Sequence, residues 1–206
     1  LSLVAKGGHN DEHHNHNDVG SVIVALDGVP VVIDPGRTTY TAQTFSPERY
    51  SIWTMQSTWH STPEVAGRAQ RAGRRYAARA VTAERGADHA SLTLDLRDAY
   101  PVSSLEAWTR TATLSAAGVE VVDRWRFAAA PEHPSDVAMI LAGEVRVAAP
   151  HRLEVTPVEG DRRIALTASN PWNLESRELT DPMLSTIWGE SIVRATCSGG
   201  LAAEGT

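Results

Sequence analysis

The chain has 206 residues, 42% of them hydrophobic and 21% charged, enough apolar content to bury a sizeable core and too much for a disordered chain. Lys and Arg number 19 against 25 Asp and Glu, a formal net charge of −6 that argues against a nucleic-acid binder. The single cysteine, Cys197, excludes an internal disulfide framework and a zinc–thiolate cluster, and no apolar run approaches the roughly 20 residues needed to span a membrane.

Residues 1–8 read as a short strand and a turn, without the regions of a signal peptide. Residues 19–26 and 29–33 flank Asp27-Gly28, a two-residue hairpin signal, and both arms are apolar nearly throughout, as in strands covered on both faces. Residues 50–58 mix aromatic, β-branched and polar side chains and are expected to form a strand. The one helix-like stretch is 66–78, rich in Ala and Arg, where Gly67 and Gly73 make a loop an equal alternative. Residues 79–84 and 90–96 flank a turn, and Leu92, Leu94 and Leu96 alternate with Thr93, Asp95 and Arg97, a period of two. Residues 108–114 and 119–127 surround a Ser-Ala-Ala-Gly turn, and 137–141, 145–147, 153–157, 164–168 and 187–195 continue the series. About ten short strands with regular turns predict an all-β fold, a large antiparallel β-sandwich with little helix. The expectation is one domain over residues 1–206, a fragment of a longer chain.

Chemistry concentrates early in the chain. Of eight histidines, His9, His13, His14 and His16 fall within residues 9–16, among Asn10, Asp11, Glu12, Asn15, Asn17 and Asp18. A solvated loop has little use for so much imidazole, whereas neutral imidazole is a common ligand for zinc and related metals. In an extended segment residues i and i+2 share a face, so His14 and His16 would converge, with Asp18 a possible third group. Asp34, ending the second hairpin arm before Pro35-Gly36, is the best outside candidate. If Leu26 pairs with Val29 it lies across from Ser21; a three-residue loop places it across from Val22, and the face stays open because a one-residue slip reverses it. The alternative for Asp34 is a turn carboxylate that caps its own backbone. His60, in Trp59-His60-Ser61-Thr62-Pro63, is a further candidate. His89, His133 and His151 sit in expected loops and receive no role.

Three blocks in order, Lys6-Gly-Gly-His-Asn-Asp-Glu-His-His-Asn-His-Asn-Asp-Val-Gly-Ser21, Val31-Val-Ile-Asp-Pro-Gly36 and Trp59-His60-Ser-Thr-Pro, resemble the C-terminal β-domain of the heparinase II/III family of polysaccharide lyases. The family pattern is His-x-His-x-Asp-x-Gly, then a strand pair ending in Asp-x-Gly, then an aromatic-flanked His-Asn/Ser. His13 stands where Asn is usual and Ser61 where Asn is commoner. The resemblance implies an N-terminal α/α toroid in the full-length chain, an active site between toroid and sandwich, and β-elimination of uronate-containing polysaccharides such as heparan sulfate or alginate. It places His14 on the catalytic histidine and His16, Asp34 and His60 on the ligands of one divalent metal, zinc in some relatives. That metal is expected to be structural, this chain alone inactive, and the protein periplasmic or secreted. The expected partners are an acidic polysaccharide and the toroid.

Tyr40 and Trp59 are candidate sugar contacts, each with packing as its alternative; Trp53 is expected in the core. Arg68, Arg71, Arg74 and Arg75 form a basic cluster, expected to be a solvated turn. Two other functions compete: a non-catalytic carbohydrate-binding or interaction module that keeps the metal for stability, and a metal-dependent hydrolase using Asp18 as general base.

Overall fold

Asp27 and Gly28 both take positive φ, 52° and 89°, the conformation of a tight hairpin turn, and strands Val22–Leu26 and Val29–Val32 pair across it. Leu26 faces Val29 and Ala25 faces Pro30, but a bulge then shifts the register so that Val24 faces Val32. Continued, that register sets Asp34 level with Val22: a two-residue turn delivers the placement expected of a three-residue one. In the first arm Val22, Val24 and Leu26 are buried while Ile23 and Ala25 are half-buried, so one face is covered far better than the other.

The computed structural model describes residues 1–206. Its fold is an all-β antiparallel sandwich. A seven-stranded sheet runs Ser2–Ala5, Val22–Leu26, Val29–Val32, Ser135–Ala142, Ser191–Gly200, Trp172–Glu178, with Pro63–Glu64 also pairing Ser135–Ala142. A five-stranded sheet runs Glu204–Gly205, Gly118–Phe127, Leu105–Ser115, His89–Asp95, Arg79–Arg85. Glu144–Ala149, Arg152–Thr156 and Ile164–Thr167 form a third sheet, and His9–Asn10 pairs with Gly73–Ala77.

Alternation does the packing. Trp108 and Ala112 from one strand and Trp125 and Phe127 from its neighbour point inward; Val22, Val24, Val31 and Leu141 of the seven-stranded sheet meet Ala112, Leu153 and Val155 from the other two. The period of two in residues 92–96 holds, with Leu94 and Leu96 fully buried. A third apolar cluster, Ile33, Trp59, Ile140, Leu179, Leu184 and Ile192, lies beneath the ends of the Asp34 and His60 segments.

Three expectations are corrected. Residues 50–58 form no strand; from 42 to 59 the chain makes four successive 3-10 turns, Ala42–Phe45, Pro47–Ser51, Trp53–Met55 and Ser57–Trp59. Pro47 begins one of these turns and the Ser46 hydroxyl accepts from the Glu48 amide, so local bonds satisfy the backbone without a partner strand. The 66–78 stretch is a turn followed by strand Gly73–Ala77, so its loop alternative prevails over helix. The one α-helix is Pro182–Trp188, capped by the Asp181 carboxylate and ended by Gly189, which moves the last expected strand from 187–195 to Ser191–Gly200. Strand Trp172–Glu178 was not foreseen.

Candidate functional site

Between Asp11 and Gly20 the chain is turned, not extended. The Asn15 amide donates to the Glu12 carbonyl (3.2 Å), the Asn17 amide to the Met55 carbonyl (3.0 Å), and the Ser21 amide to the Asp18 carbonyl (3.0 Å). Arg49 donates through Nε (3.2 Å) and Nη2 (2.9 Å) to the Asn15 carbonyl, between the two histidines. The Asn15 carboxamide reaches Asn17 Oδ1 (3.3 Å) and the Tyr50 hydroxyl (3.2 Å). This bends the backbone at His14 to φ 58°, leaving His14 exposed while His16 turns inward and is half-buried. The two histidines therefore part company, against the expectation from extended geometry. Gly20 ends the segment at φ 85°, where an added Cβ would lie 2.6 Å from Leu96, so only glycine fits.

Asp34 and His60 are aimed by the apolar residues before them. Ile33 is fully buried and its amide donates to the Ile140 carbonyl (2.8 Å); Trp59 is 5% exposed. Asp34 Oδ1 accepts from the Gly36 amide (2.8 Å), so the turn-capping alternative holds for one oxygen, while Oδ2 faces His60 Nδ1 at 3.1 Å. His60 is fully buried, and its Nε2 contacts the Thr54 carbonyl at 3.0 Å. The His16 ring stands edge-on to it, centroids 5.4 Å apart. One donor atom from each of His16, Asp34 and His60 lies within 4.8 Å of the others. Zinc binds such donors at about 2.0–2.2 Å, so small side-chain rotations would be needed for all three to share one ion.

A carbonyl can only accept, so His60 Nε2 carries a proton. In neutral His60, Nδ1 would then turn a lone pair onto the Asp34 carboxylate. The contact is favourable only with positive charge between them, a proton or a metal ion. Burial pushes His60 down, but the hydrogen bond and charge of Asp34 outweigh it and the net shift is upward, which favours the proton over the bare contact in the absence of metal. For Asp34, burial pushes up, but His60 and the Gly36 amide hold it well below the usual carboxylate range. Burial, then the charge of His60, lowers His16 to about 4, leaving it a neutral ligand at ordinary pH. Two imidazoles, one carboxylate and an orienting carbonyl behind a ring suit a divalent cation of the zinc type.

Residues 1–183 match the family described as heparinase II/III-like, C-terminal. The chain belongs to that family. Among solved structures it is similar to a mutant of the heparan sulfate lyase HepC from Pedobacter heparinus, at 18% identity and a TM-score of 0.69, over 97% of this chain and 31% of that one. It is also similar to a heparinase III with methylated lysines, at 12% identity and a TM-score of 0.67, over 95% of this chain and 29% of that one. The chain thus spans about a third of the length of these proteins, and the likeness shows a common fold. No curated protein matches the sequence significantly.

In this heparinase-like domain a cleft of about 450 Å³ opens beside the cluster, with Lys6, Asp18, Ser21 and Asp34 on its polar wall. Asp18 stays outside the His-Asp-His group and pairs with Lys6. Burial raises Asp18 despite that partner. Trp59 offers no open ring: it packs edge-on to Trp53 at 5.3 Å, and Arg177 lies 4.4 Å over it. That is the packing alternative, and it corrects the sugar-contact expectation. Tyr40 is 38% exposed, with Phe45 at its edge and Arg37 4.2 Å over its ring. Arg68, Arg71, Arg74 and Arg75 are exposed, as expected of a solvated face. The sequence reading missed Arg49, Tyr50 and Thr54, which position the two histidines; nothing in their spacing announces them.

Proposed function

We propose that the full-length protein is a polysaccharide lyase that cleaves uronate-containing polymers of the heparan-sulfate or alginate type by β-elimination, and that this chain is its C-terminal domain. The observation that carries the reading is the His16–Asp34–His60 cluster, two residues from the exposed His14, in a domain of the heparinase II/III family. An N-terminal toroid supplies the rest of the active site, and the protein works in the periplasm or outside the cell.

His16, Asp34 and His60 would hold one zinc ion. Bound there, the ion supplies a fixed positive node tying the His16 turn to the hairpin end and the last 3-10 turn. Elimination removes the proton at C5, α to the uronate carboxylate; the C5–H electrons form the C4=C5 double bond as the C4–O bond breaks, and the leaving oxygen takes a proton. The carbanionic transition state needs donors at the carboxylate and a base in hydrogen-bond reach of C5. His14 takes one of those roles, held by the Asn15 and Arg49 contacts; Tyr40 lines the approach to the sugar.

The test is ultraviolet absorbance of the unsaturated product when the full-length protein meets glucuronate-, iduronate- or alginate-type polymers. Turnover is expected from the full-length protein and none from this domain alone. His14→Ala should abolish turnover while keeping metal and fold. Retained turnover in that variant would refute the catalytic assignment. No turnover on any polymer, with polymer still bound, would favour a carbohydrate-binding module. Immediate, reversible loss on chelation without unfolding would favour hydrolytic metal chemistry.

A further inference from the structure

The one fully buried arginine, Arg110, sits in strand Leu105–Ser115 of the five-stranded sheet. It lies directly across from Asp123 and grips it with Nε (3.0 and 3.2 Å to the two oxygens) and Nη2 (2.8 Å). The Trp108 indole N–H donates to the same carboxylate at 2.7 Å. This leaves Nη1, which leaves its own sheet altogether. It donates to two backbone carbonyls at once, Gly20 and Ser61, both at 2.8 Å.

Those carbonyls are placed with a purpose legible in the chain. Ser61 directly follows His60. Gly20 closes the turned segment that carries His16, and its amide bonds back to the Lys6 carbonyl. Asp34 is fixed from the other side: the Ile140 carbonyl accepts from Ile33 (2.8 Å), and the Ile140 amide donates to the Ser61 hydroxyl (3.1 Å). Two fixtures, Ile140 and Arg110, thus tie down all three segments that carry the cluster. A buried ion pair adds little net stability over an apolar pair of similar shape. A planar guanidinium can meet a carboxylate along one edge and two carbonyls along another, which no apolar side chain and no ammonium can do.

We propose that Arg110 is a positioning residue for the metal centre: it couples the Gly20 and Ser61 carbonyls, and through them sets the separation of His16 from His60. The inference rests on the reading of His16, Asp34 and His60 as a metal site. Arg110 touches neither metal nor substrate; it acts by holding backbone.

The test uses Co2+ as probe in the full-length protein, because its visible absorption reports coordination geometry. Two variants are compared with the wild type: Arg110→Lys, and the double variant Arg110→Met with Asp123→Leu, which removes the ion pair as a unit and keeps an apolar core. Far-ultraviolet dichroism and cooperative melting establish folding. Expected in the folded variants are a Co2+ affinity lower by about 10–100-fold, the usual cost of losing a group behind metal ligands, and altered visible bands. Leu153→Ala, an equally buried change in another sheet, should lower the melting temperature and leave the Co2+ spectrum unchanged. A folded Arg110 variant with wild-type affinity and bands overturns the proposal, as does an equal loss in Leu153→Ala. If neither Arg110 variant folds, the wild type decides: the Arg110 guanidinium NMR signals should shift on zinc loading, and unchanged signals overturn it. A wild type that takes up no Co2+ defeats the metal reading itself, and the inference with it.

Discussion

Two clusters bury charge in this domain, and they solve the problem differently. Arg110, Asp123 and Trp108 form a closed set: every donor aimed at Asp123 finds an oxygen, and the spare guanidinium nitrogen finds two carbonyls. His16, Asp34 and His60 form an open set: His60 faces Asp34 at 3.1 Å in a contact that is favourable only with a cation between them. The first is complete with the chain's own atoms; the second is held by an exchangeable proton, whose place an ion would take on the metal reading proposed above.

That contrast can be broken in order of size. Asp123→Ala should be the most damaging change, because it strands the buried Arg110 charge; a loss of about 3–5 kcal/mol is expected in urea unfolding, and a loss under 1 kcal/mol would mean the brace is dispensable. Chelation should act only on the open cluster. With metal at about 100 times its dissociation constant the bound ion contributes about 2.7 kcal/mol, so the melting temperature should fall on adding chelator while the β-sheet dichroism persists.

Protons sharpen the comparison further. In the metal-free protein His60 is raised above its ordinary 6.5, so its stabilising proton is fully present below that value and is lost as pH rises through the folded one. Lowered to about 4, His16 works in the opposite sense: between 6.5 and about 4 the unfolded chain binds the extra proton, and acidification there costs stability. Asp34 adds stability above its ordinary 3.8 that fades as pH falls through its depressed folded value. A metal ion must displace the His60 proton. Calorimetry at about pH 5.5, below the ordinary value of His60 and above the lowered one of His16, in buffers of different ionisation enthalpy should therefore show about one proton released per ion bound. No release would mean that no proton bridges His60 and Asp34. The smallest effect belongs outside both clusters: Phe45→Ser, at a residue 72% exposed, should shift stability within about 0.5 kcal/mol and leave metal uptake unchanged.

Much of the fold was legible because sandwich strands announce themselves by alternation and by turns. The Asp27-Gly28 hairpin and the run Leu92, Leu94, Leu96 both behave as written. The Tyr50–Thr58 region misled because β-branched and aromatic residues favour strands only when a partner is at hand, and here short capped turns took the backbone bonds instead. The helix escaped notice because seven residues are too few for a 3.6 period, although Asp181-Pro182 and Gly189 mark its ends. At the site, residue types left His14, His16, Asp18, Asp34 and His60 as candidates; the family resemblance singled out His16, Asp34 and His60, which do meet. Extended spacing gave the wrong path for His14, whose left-handed backbone depends on Arg49, 35 positions away. Arg110 was within reach of the sequence: a turn pairing Ser115 with Gly118 sets Arg110 opposite Asp123, and both fall at inward positions of the alternation.

One peptide neighbourhood has a mechanical consequence. The carbonyl and the amide of Ile140 hold the Asp34 and His60 segments respectively, so any drift of the central strand carries those two side chains along together and their spacing survives. The His16 segment is moored differently: it hangs from Arg49, Met55 and Arg110, and of these only Arg110 also holds the His60 segment. The cluster is thus two jaws, the Asp34–His60 pair moored on one strand and His16 on its own turn, and Arg110 is the one side chain that spans both.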